Sequence, residues 1–104
     1  MSTPEQLVNQ IRLATDYQKN KRALREKIQT DLHLAYSGGL FLIDIQLLAF
    51  LATWPDDELY LEDVYNNPIK INRQELLTQA QQHYQSTMNA WHIEHERLKQ
   101  IRKI

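Results

Sequence analysis

The chain has 104 residues, of which 42% are hydrophobic, carries a formal net charge of −1 and contains no cysteine. A chain of this length forms one domain, and two glycines with three prolines are too few for a disordered chain or a turn-rich β-sandwich. The absence of cysteine excludes disulfides, thiolate catalysis and cysteine-ligated zinc, and it favours a reducing cytoplasm. The charge balance disfavours a dedicated duplex-DNA binder. The polar N-terminus predicts no signal peptide, and no apolar run is long enough to span a membrane.

The first segment, residues 4–36, has the periodicity of one amphipathic helix. Ser2 or Thr3 is suited to cap this helix, because a hydroxyl oxygen accepts from the free amides of the first turn. Residues 37–39 (Ser-Gly-Gly) are typical of a helix end, since glycine tolerates the left-handed backbone found there. Apolar side chains recur at spacings of three, four or seven, and they are Leu7, Ile11, Ala14, Tyr17, Leu24, Ile28, Leu32 and Ala35.

The middle segment, residues 40–71, predicts a small α/β head. Its first four residues are apolar and follow glycine, which indicates a short strand. Asp44 then resembles a cap for a short buried helix over residues 45–54. Residues 58–64 alternate between apolar and polar, and an Asn-Asn-Pro turn leads to a second alternating run at 69–71, which predicts a β-hairpin. An isolated hairpin is barely stable in water, so this one should pack against the middle helix.

The last segment, residues 73–103, predicts a second long helix with a capping box formed by Asn72 and Glu75. Its heptad stripe consists of Leu77, Tyr84, Trp91 and Leu98. Because neither long amphipathic helix is stable alone, the two should pack antiparallel as a stem. The predicted fold is therefore α+β and mainly α, a single domain over residues 1–104 with a two-helix stem and a small head. Self-association or a partner helix would cover the apolar surface that the two-helix stem leaves exposed.

Residues 91–96 (Trp-His-Ile-Glu-His-Glu) form the most metal-like cluster of the sequence. On a helix, His92 shares a face with both His95 and Glu96. The string is not a metalloprotease motif, and two helical ligands do not close a zinc site, so a polar helix face is the favoured interpretation. The sequence has no nucleophile elbow, phosphate loop or dinucleotide fingerprint. No enzyme, metal or cofactor is therefore predicted.

Two charged stretches remain. An acidic run with no compensating base is either a solvated tip or a docking patch for a basic partner surface, and it comprises Asp56, Asp57, Glu58, Glu62 and Asp63. A basic belt along the first helix comprises Lys19, Lys21, Arg22, Arg25 and Lys27. The belt contains no aromatic residue, which favours a solvated helix face over a single-stranded nucleic-acid track and leaves phosphate contact as an alternative. The basic residues at 97–103 would lie at a different height on an antiparallel stem.

Three stretches resemble, as a set, small proteins of T4-like bacteriophages that infect cyanobacteria: DLHLAYSGGLF at 31–41, LYLEDVYNNPIKINRQELL at 59–77 and MNAWHIEHERLKQIRK at 88–103. They look similar to the late-transcription co-activator of T4-like phages. The resemblance implies a non-catalytic adaptor in the host cytoplasm, which binds host RNA polymerase and couples it to the promoter-recognition factor and the sliding clamp. The family's acidic, hydrophobic clamp-binding tail is not matched, because residues 99–104 are basic. Clamp binding is therefore not implied for this chain.

On this interpretation the head carries the partner-binding surface, because aromatic side chains dominate interface energetics. The predicted aromatic anchors are Phe41, Trp54, Tyr60 and Tyr65, beside the acidic residues Asp56, Asp57, Glu58 and Glu62. Phe41 and Trp54 equally fit the core of the head. Two alternative functions stay open. One is a virion structural or assembly protein that acts as a helical oligomer or chaperone, and the other is a single-stranded nucleic-acid accessory factor that uses the basic belt.

Overall fold

The computed structural model describes residues 3–103, and for residues 101–103 it describes the backbone alone. Within these residues the fold is α+β and mainly helical, with three helices and two small antiparallel hairpins. The elements are α1 (Pro4–Asp31), β1 (His33–Tyr36), β2 (Gly39–Leu42), α2 (Ile45–Thr53), β3 (Glu58–Glu62), β4 (Pro68–Asn72) and α3 (Arg73–Lys103). The molecule is elongated, with extents of 66 × 23 × 19 Å.

Helix α1 begins at a capping box. The Thr3 hydroxyl accepts a hydrogen bond from the Gln6 amide at 3.2 Å, and the Gln6 side chain accepts one from the Thr3 amide at 2.9 Å. This pair satisfies two amides that the helix itself leaves without a partner. Of the two predicted caps, Thr3 is therefore confirmed, whereas Ser2 lies outside the described residues.

The predicted end of the first helix at residue 36 is wrong. The helix ends at Asp31, and residues 33–36 form a strand whose register pairs His33 with Leu42 and Tyr36 with Gly39. The apolar stripe continues from the helix into the strand, so the spacing of apolar residues does not mark the change. Tertiary packing decides it, because Leu34 and Tyr36 pack against the core of the head.

Residues 37–38 make a hairpin turn and do not cap a helix, and Gly39 begins β2. Ser37 has φ 51° and Gly38 has φ 84°, and two positive φ values are what a two-residue type I′ turn requires. Gly39 is needed for a different reason, because a Cβ there would lie 2.7 Å from Cγ1 of Ile69. The first hairpin therefore closes against the second one at this glycine.

The rest of the predicted head is confirmed. The Asp44 carboxylate caps α2 by accepting from the Leu47 amide at 2.7 Å, and β3 pairs with β4. The Asn72 side chain caps α3 by accepting from the Glu75 amide at 2.9 Å. The predicted return bond from the Glu75 side chain is not formed among the described residues, because the Asn72 amide donates to the Tyr36 hydroxyl at 3.4 Å, so only half of the capping box is confirmed. The predicted strand after glycine is β2, although its partner β1 was expected to be helical.

The core lies in the head and includes the first turns of α3. Its buried members are Phe41, Ile43, Leu51, Ile71, Leu76 and Ala80. Every element of the head except β1 and β3 contributes at least one of them, and those two strands supply partly buried side chains. The hairpins and α2 therefore hold one another in place by burying apolar surface together.

The two long helices contact each other over only part of their length. Ile28 is the buried residue of α1, whereas every side chain from Thr3 to Asp16 is exposed. Leu7 and Ile11, which were expected to pack along the whole stripe, are about half and two-thirds exposed, respectively. Packing of the predicted stripe therefore starts at Tyr17. None of the described helices is long and apolar enough to cross a membrane.

Candidate functional site

The outward side of the β3–β4 hairpin presents an aromatic side chain among charges. Along β3 the residues alternate, so Leu59 and Leu61 turn towards the core while Tyr60 stays 68% exposed. The register pairs Tyr60 with Lys70 on β4. We call this surface the outer face, and it consists of Glu58, Tyr60, Glu62, Pro68, Lys70 and Asn72. Tyr65, in the turn between the strands, is also 68% exposed.

An open apolar groove of about 380 Å³ lies beside the end of β3 and runs along α2. We call it the head groove, and it is lined by Phe41, Leu42, Asp44, Gln46, Leu47, Phe50, Leu61, Glu62, Asp63 and Val64. Leu42 and Val64 at its border are each about two-fifths exposed. The groove and the outer face share Glu62, so they form one continuous surface of the head.

The four predicted aromatic anchors differ in how far their side chains are exposed. Phe41 is only 3% exposed and belongs to the core, because alternation along β2 turns it inwards and Leu42 outwards. Burial removes Phe41 from the set of anchors. Trp54 is 40% exposed and its ring stacks on Phe50 with centroids 5.0 Å apart. Tyr60 and Tyr65 have the exposure that an anchor requires, and their role stays a prediction.

The acidic run has compensating bases, contrary to the expectation from sequence. Arg73 Nη2 lies 3.0 Å from the carboxylate of Asp57, and Lys70 Nζ lies 3.8 Å from that of Glu58. Arg73 Nη1 also donates to the Leu51 carbonyl at 2.9 Å. Asp57 therefore ties the turn after α2 to the start of α3. Within the described residues, Asp56, Glu62 and Asp63 form no ion pair, although Glu62 accepts a hydrogen bond from the Asn66 side chain.

Asp63 is a buried structural residue and not part of a solvated acidic tip. Its carboxylate accepts from the amides of Asn67 at 2.9 Å, Tyr65 at 3.0 Å and Leu40 at 3.2 Å. These backbone hydrogen bonds, that from Asn67 first, lower the pKa of Asp63 because they favour its charged form. The Val64 amide donates a hydrogen bond to the Leu40 carbonyl at 2.9 Å. Asp63 thus joins the two hairpins and fixes the turn that carries Tyr65.

Three residues of the basic belt meet two side chains from the other long helix. Lys21, Arg22 and Arg25 of α1 line a groove of about 340 Å³ together with Trp91 and His95 of α3. We call it the basic groove, and Gln18 completes its lining. The belt has no aromatic residue of its own, so this neighbour was not predicted.

The remaining belt residues lie apart from the basic groove. Lys19 borders a neighbouring open groove with Ala14, Thr15, Gln18 and Arg22, and Lys27 lies outside both grooves. In the part of the chain that the structure describes, none of the five belt cations forms a hydrogen bond or an ion pair.

The metal-like cluster on α3 is engaged in ion pairs along its own helix. Arg97 lies 3.2 Å from Glu94, and Lys99 lies 3.3 Å from Glu96. The hydrogen bond and charge of Lys99 lower the pKa of Glu96. Among residues 3–100, whose side chains are described, no three His, Asp or Glu side chains come together as a metal site. The side chains of Arg102 and Lys103, predicted as part of a basic end, lie outside the described residues.

Comparison of the chain with protein-family models, with curated proteins and with solved structures gave no match.

Proposed function

We propose that this protein is a non-catalytic adaptor that binds a protein partner through the outer face and the head groove. One observation carries the proposal: Tyr60 and Tyr65 are large aromatic side chains, each 68% exposed on a rigidly held hairpin. Large aromatic side chains are the commonest energetic anchors of protein interfaces. The groove next to them offers an apolar concavity into which a partner side chain fits.

The backbone that carries these tyrosines is fixed before any partner arrives. Asp63 holds the amide of Tyr65 itself, and the β3–β4 pairing holds Tyr60. A preorganised surface loses little conformational entropy on binding, so more of the contact energy is left as affinity. Glu62 belongs to both the outer face and the head groove and forms no ion pair within the described residues, so its negative charge favours a partner surface with basic residues.

The resemblance to the T4-type late-transcription co-activator supplies the partner that we propose, host RNA polymerase in the cytoplasm of an infected cyanobacterium. In this proposal the head makes the polymerase contact. The long helices act as an antiparallel stem that projects from it. Two contacts support the antiparallel direction: Asp31 contacts His83, and Gln18 lines the same groove as His95. An earlier residue of α1 thus lies near a later residue of α3.

The test measures binding of purified host RNA polymerase core to the immobilised full chain by biolayer interferometry. The double variant Tyr60→Ala, Tyr65→Ala removes the two exposed rings and leaves the core untouched. If each ring is a hot spot of about 2 kcal/mol, each truncation raises the dissociation constant about 30-fold, and the double variant raises it by about 800-fold if the two effects add. The matched control Leu7→Ala, Ile11→Ala removes exposed apolar side chains at the other end of the molecule and should bind as the wild type does. No binding by the wild type, or equal losses in both variants, would reject the proposal.

A second function, virion structure or assembly through the helices, is favoured by the first half of α1. Leu7, Val8, Ile11 and Leu13 are each about half to two-thirds exposed, which is unusual for so many neighbouring apolar side chains. Oligomerisation through this segment would cover them. Light scattering decides the matter: a concentration-dependent oligomer that Leu7→Ala, Ile11→Ala dissolves supports this function, and a monomer up to high concentration rejects it.

A further inference from the structure

We propose that the basic groove binds single-stranded nucleic acid, with phosphates on its cations and a base against Trp91. The basic groove itself lies between the two long helices and shares no lining residue with the head groove, and the proposal does not depend on the adaptor function. The observation behind it is the meeting of three cations from α1 with an indole and an imidazole from α3 in one concavity of about 340 Å³. Proteins that bind single strands combine two components, which are cations along the phosphate backbone and aromatic rings on which the bases stack.

The cations of the groove are free to take an external anion. Within the described residues, Lys21, Arg22 and Arg25 have no acidic partner, whereas the α3 acids Glu94 and Glu96 are already paired with Arg97 and Lys99. Residues 19–27 hold five bases and the single acid Glu26, so the local charge is positive although the whole chain carries −1. An unpaired positive cluster attracts polyanions, and the chain's net charge does not cancel that local field.

The spacing of the cations suits a chain of phosphates. Lys21 and Arg25 are four residues apart on one helix, which separates their Cα atoms by about 6 Å along the axis. Two guanidinium groups and one ammonium group therefore line one side of the groove, where they can donate to successive phosphate oxygens. His95 and Gln18 add further hydrogen-bonding groups at its edge.

Trp91 gives the groove its second component. It is half-buried and also lines an adjoining open groove of about 500 Å³, whose apolar lining includes Ile28, Tyr84 and Met88. Arg25 lines both grooves as well. A base of a strand whose phosphate contacts Arg25 can therefore pack against an apolar and aromatic surface. Any of the bases can stack there because each has a π-face. We expect binding to depend little on sequence.

The experiment titrates the full chain into fluorescein-labelled dT20 and follows fluorescence anisotropy from 50 to 200 mM salt. Three phosphate contacts on a single strand predict a slope of about −2 in the logarithm of affinity against the logarithm of salt, or an affinity loss of about 20-fold over this range. The triple variant Lys21→Gln, Arg22→Gln, Arg25→Gln should bind at least tenfold more weakly at 50 mM salt and lose most of the slope. The control Arg12→Gln, Lys27→Gln, Lys70→Gln removes the same charge outside the groove and should keep the wild-type slope.

A second readout reports on Trp91 itself. The chain has two tryptophans, so a Trp54→Phe background leaves Trp91 as the single indole. Stacking of a thymine should quench its fluorescence in step with the anisotropy change. The proposal is overturned if dT20 fails to bind at 50 mM salt, if the groove variant and the control lose affinity equally, or if Trp91 fluorescence does not change. Equally tight binding of poly-glutamate without quenching would also overturn it and assign the groove to acidic peptides.

Discussion

Truncation of Ile43 tests the packing of the head against a control two residues away. Ile43 is fully buried in the core between β2 and α2, whereas Ile45 is 68% exposed. Ile43→Ala removes three carbon atoms from the core, which costs about 2.5 kcal/mol in lost transfer free energy. The cavity left behind raises the cost in unfolding free energy to about 3–4 kcal/mol. Ile45→Ala should change the unfolding free energy by no more than about 0.5 kcal/mol.

The assay is urea unfolding followed by circular dichroism and by tryptophan fluorescence. With an m-value of about 1.5 kcal/mol/M, the urea midpoint of Ile43→Ala should fall by about 2–2.7 M, and that of Ile45→Ala by no more than about 0.3 M. A loss of this size is a large share of the total stability of a domain this small. Equal midpoints for the two variants would refute the assignment of the core to the head.

Three further predictions address other parts of the structure. Asp63→Asn puts an amide nitrogen where one carboxylate oxygen accepts a backbone bond, so it should lower the unfolding free energy at pH 7. The pKa of Asp63 is lower in the folded state than its ordinary value of 3.8. The stabilisation by the charged carboxylate is therefore complete at pH values above 3.8, and it is lost as the pH falls below that value towards the folded-state pKa. The difference in unfolding free energy between wild type and Asp63→Asn, measured by urea unfolding, should therefore become smaller below pH 3.8. A difference that does not change with pH would contradict the lowered pKa. Gly38→Ala forces a side chain into a left-handed turn position and should cost about 1 kcal/mol in thermal unfolding, whereas Ser37→Asn, which suits a type I′ turn, should not destabilise. Amide hydrogen exchange measured by NMR should be fast over residues 4–16, which lack tertiary packing, and slow around Leu76 and Ala80. Equal protection in both regions would show that the first half of α1 is packed.

The parts of the fold that the sequence predicts are those specified by local chemistry. The alternation at residues 58–64 places Tyr60 outside and Leu59 with Leu61 inside, and caps at Thr3 and Asp44 mark two helix starts. The strand at 33–36 escapes prediction because its apolar spacing continues that of the preceding helix. One signal was present: Ser37-Gly38 between two apolar runs is also typical of a two-residue hairpin turn.

The candidate sites depend on contacts that are distant in sequence. The buried role of Asp63 involves Leu40, 23 positions away, although an aspartate two residues before a turn amide is a known local signal. The meeting of Trp91 with the basic belt depends on the register between α1 and α3. No local pattern encodes that register, so the belt looked like a solvated helix face. Likewise, the partners of Asp57 and Glu58 lie on later elements.

The most direct test of the central claim is hydrogen–deuterium exchange of the full chain, free and bound to purified host RNA polymerase core. Binding through the head predicts slower exchange at residues 58–68 and along α2, with unchanged exchange around the basic groove. Protection confined to the long helices, or no protection at a saturating polymerase concentration, would contradict the proposal that the head is the partner-binding surface.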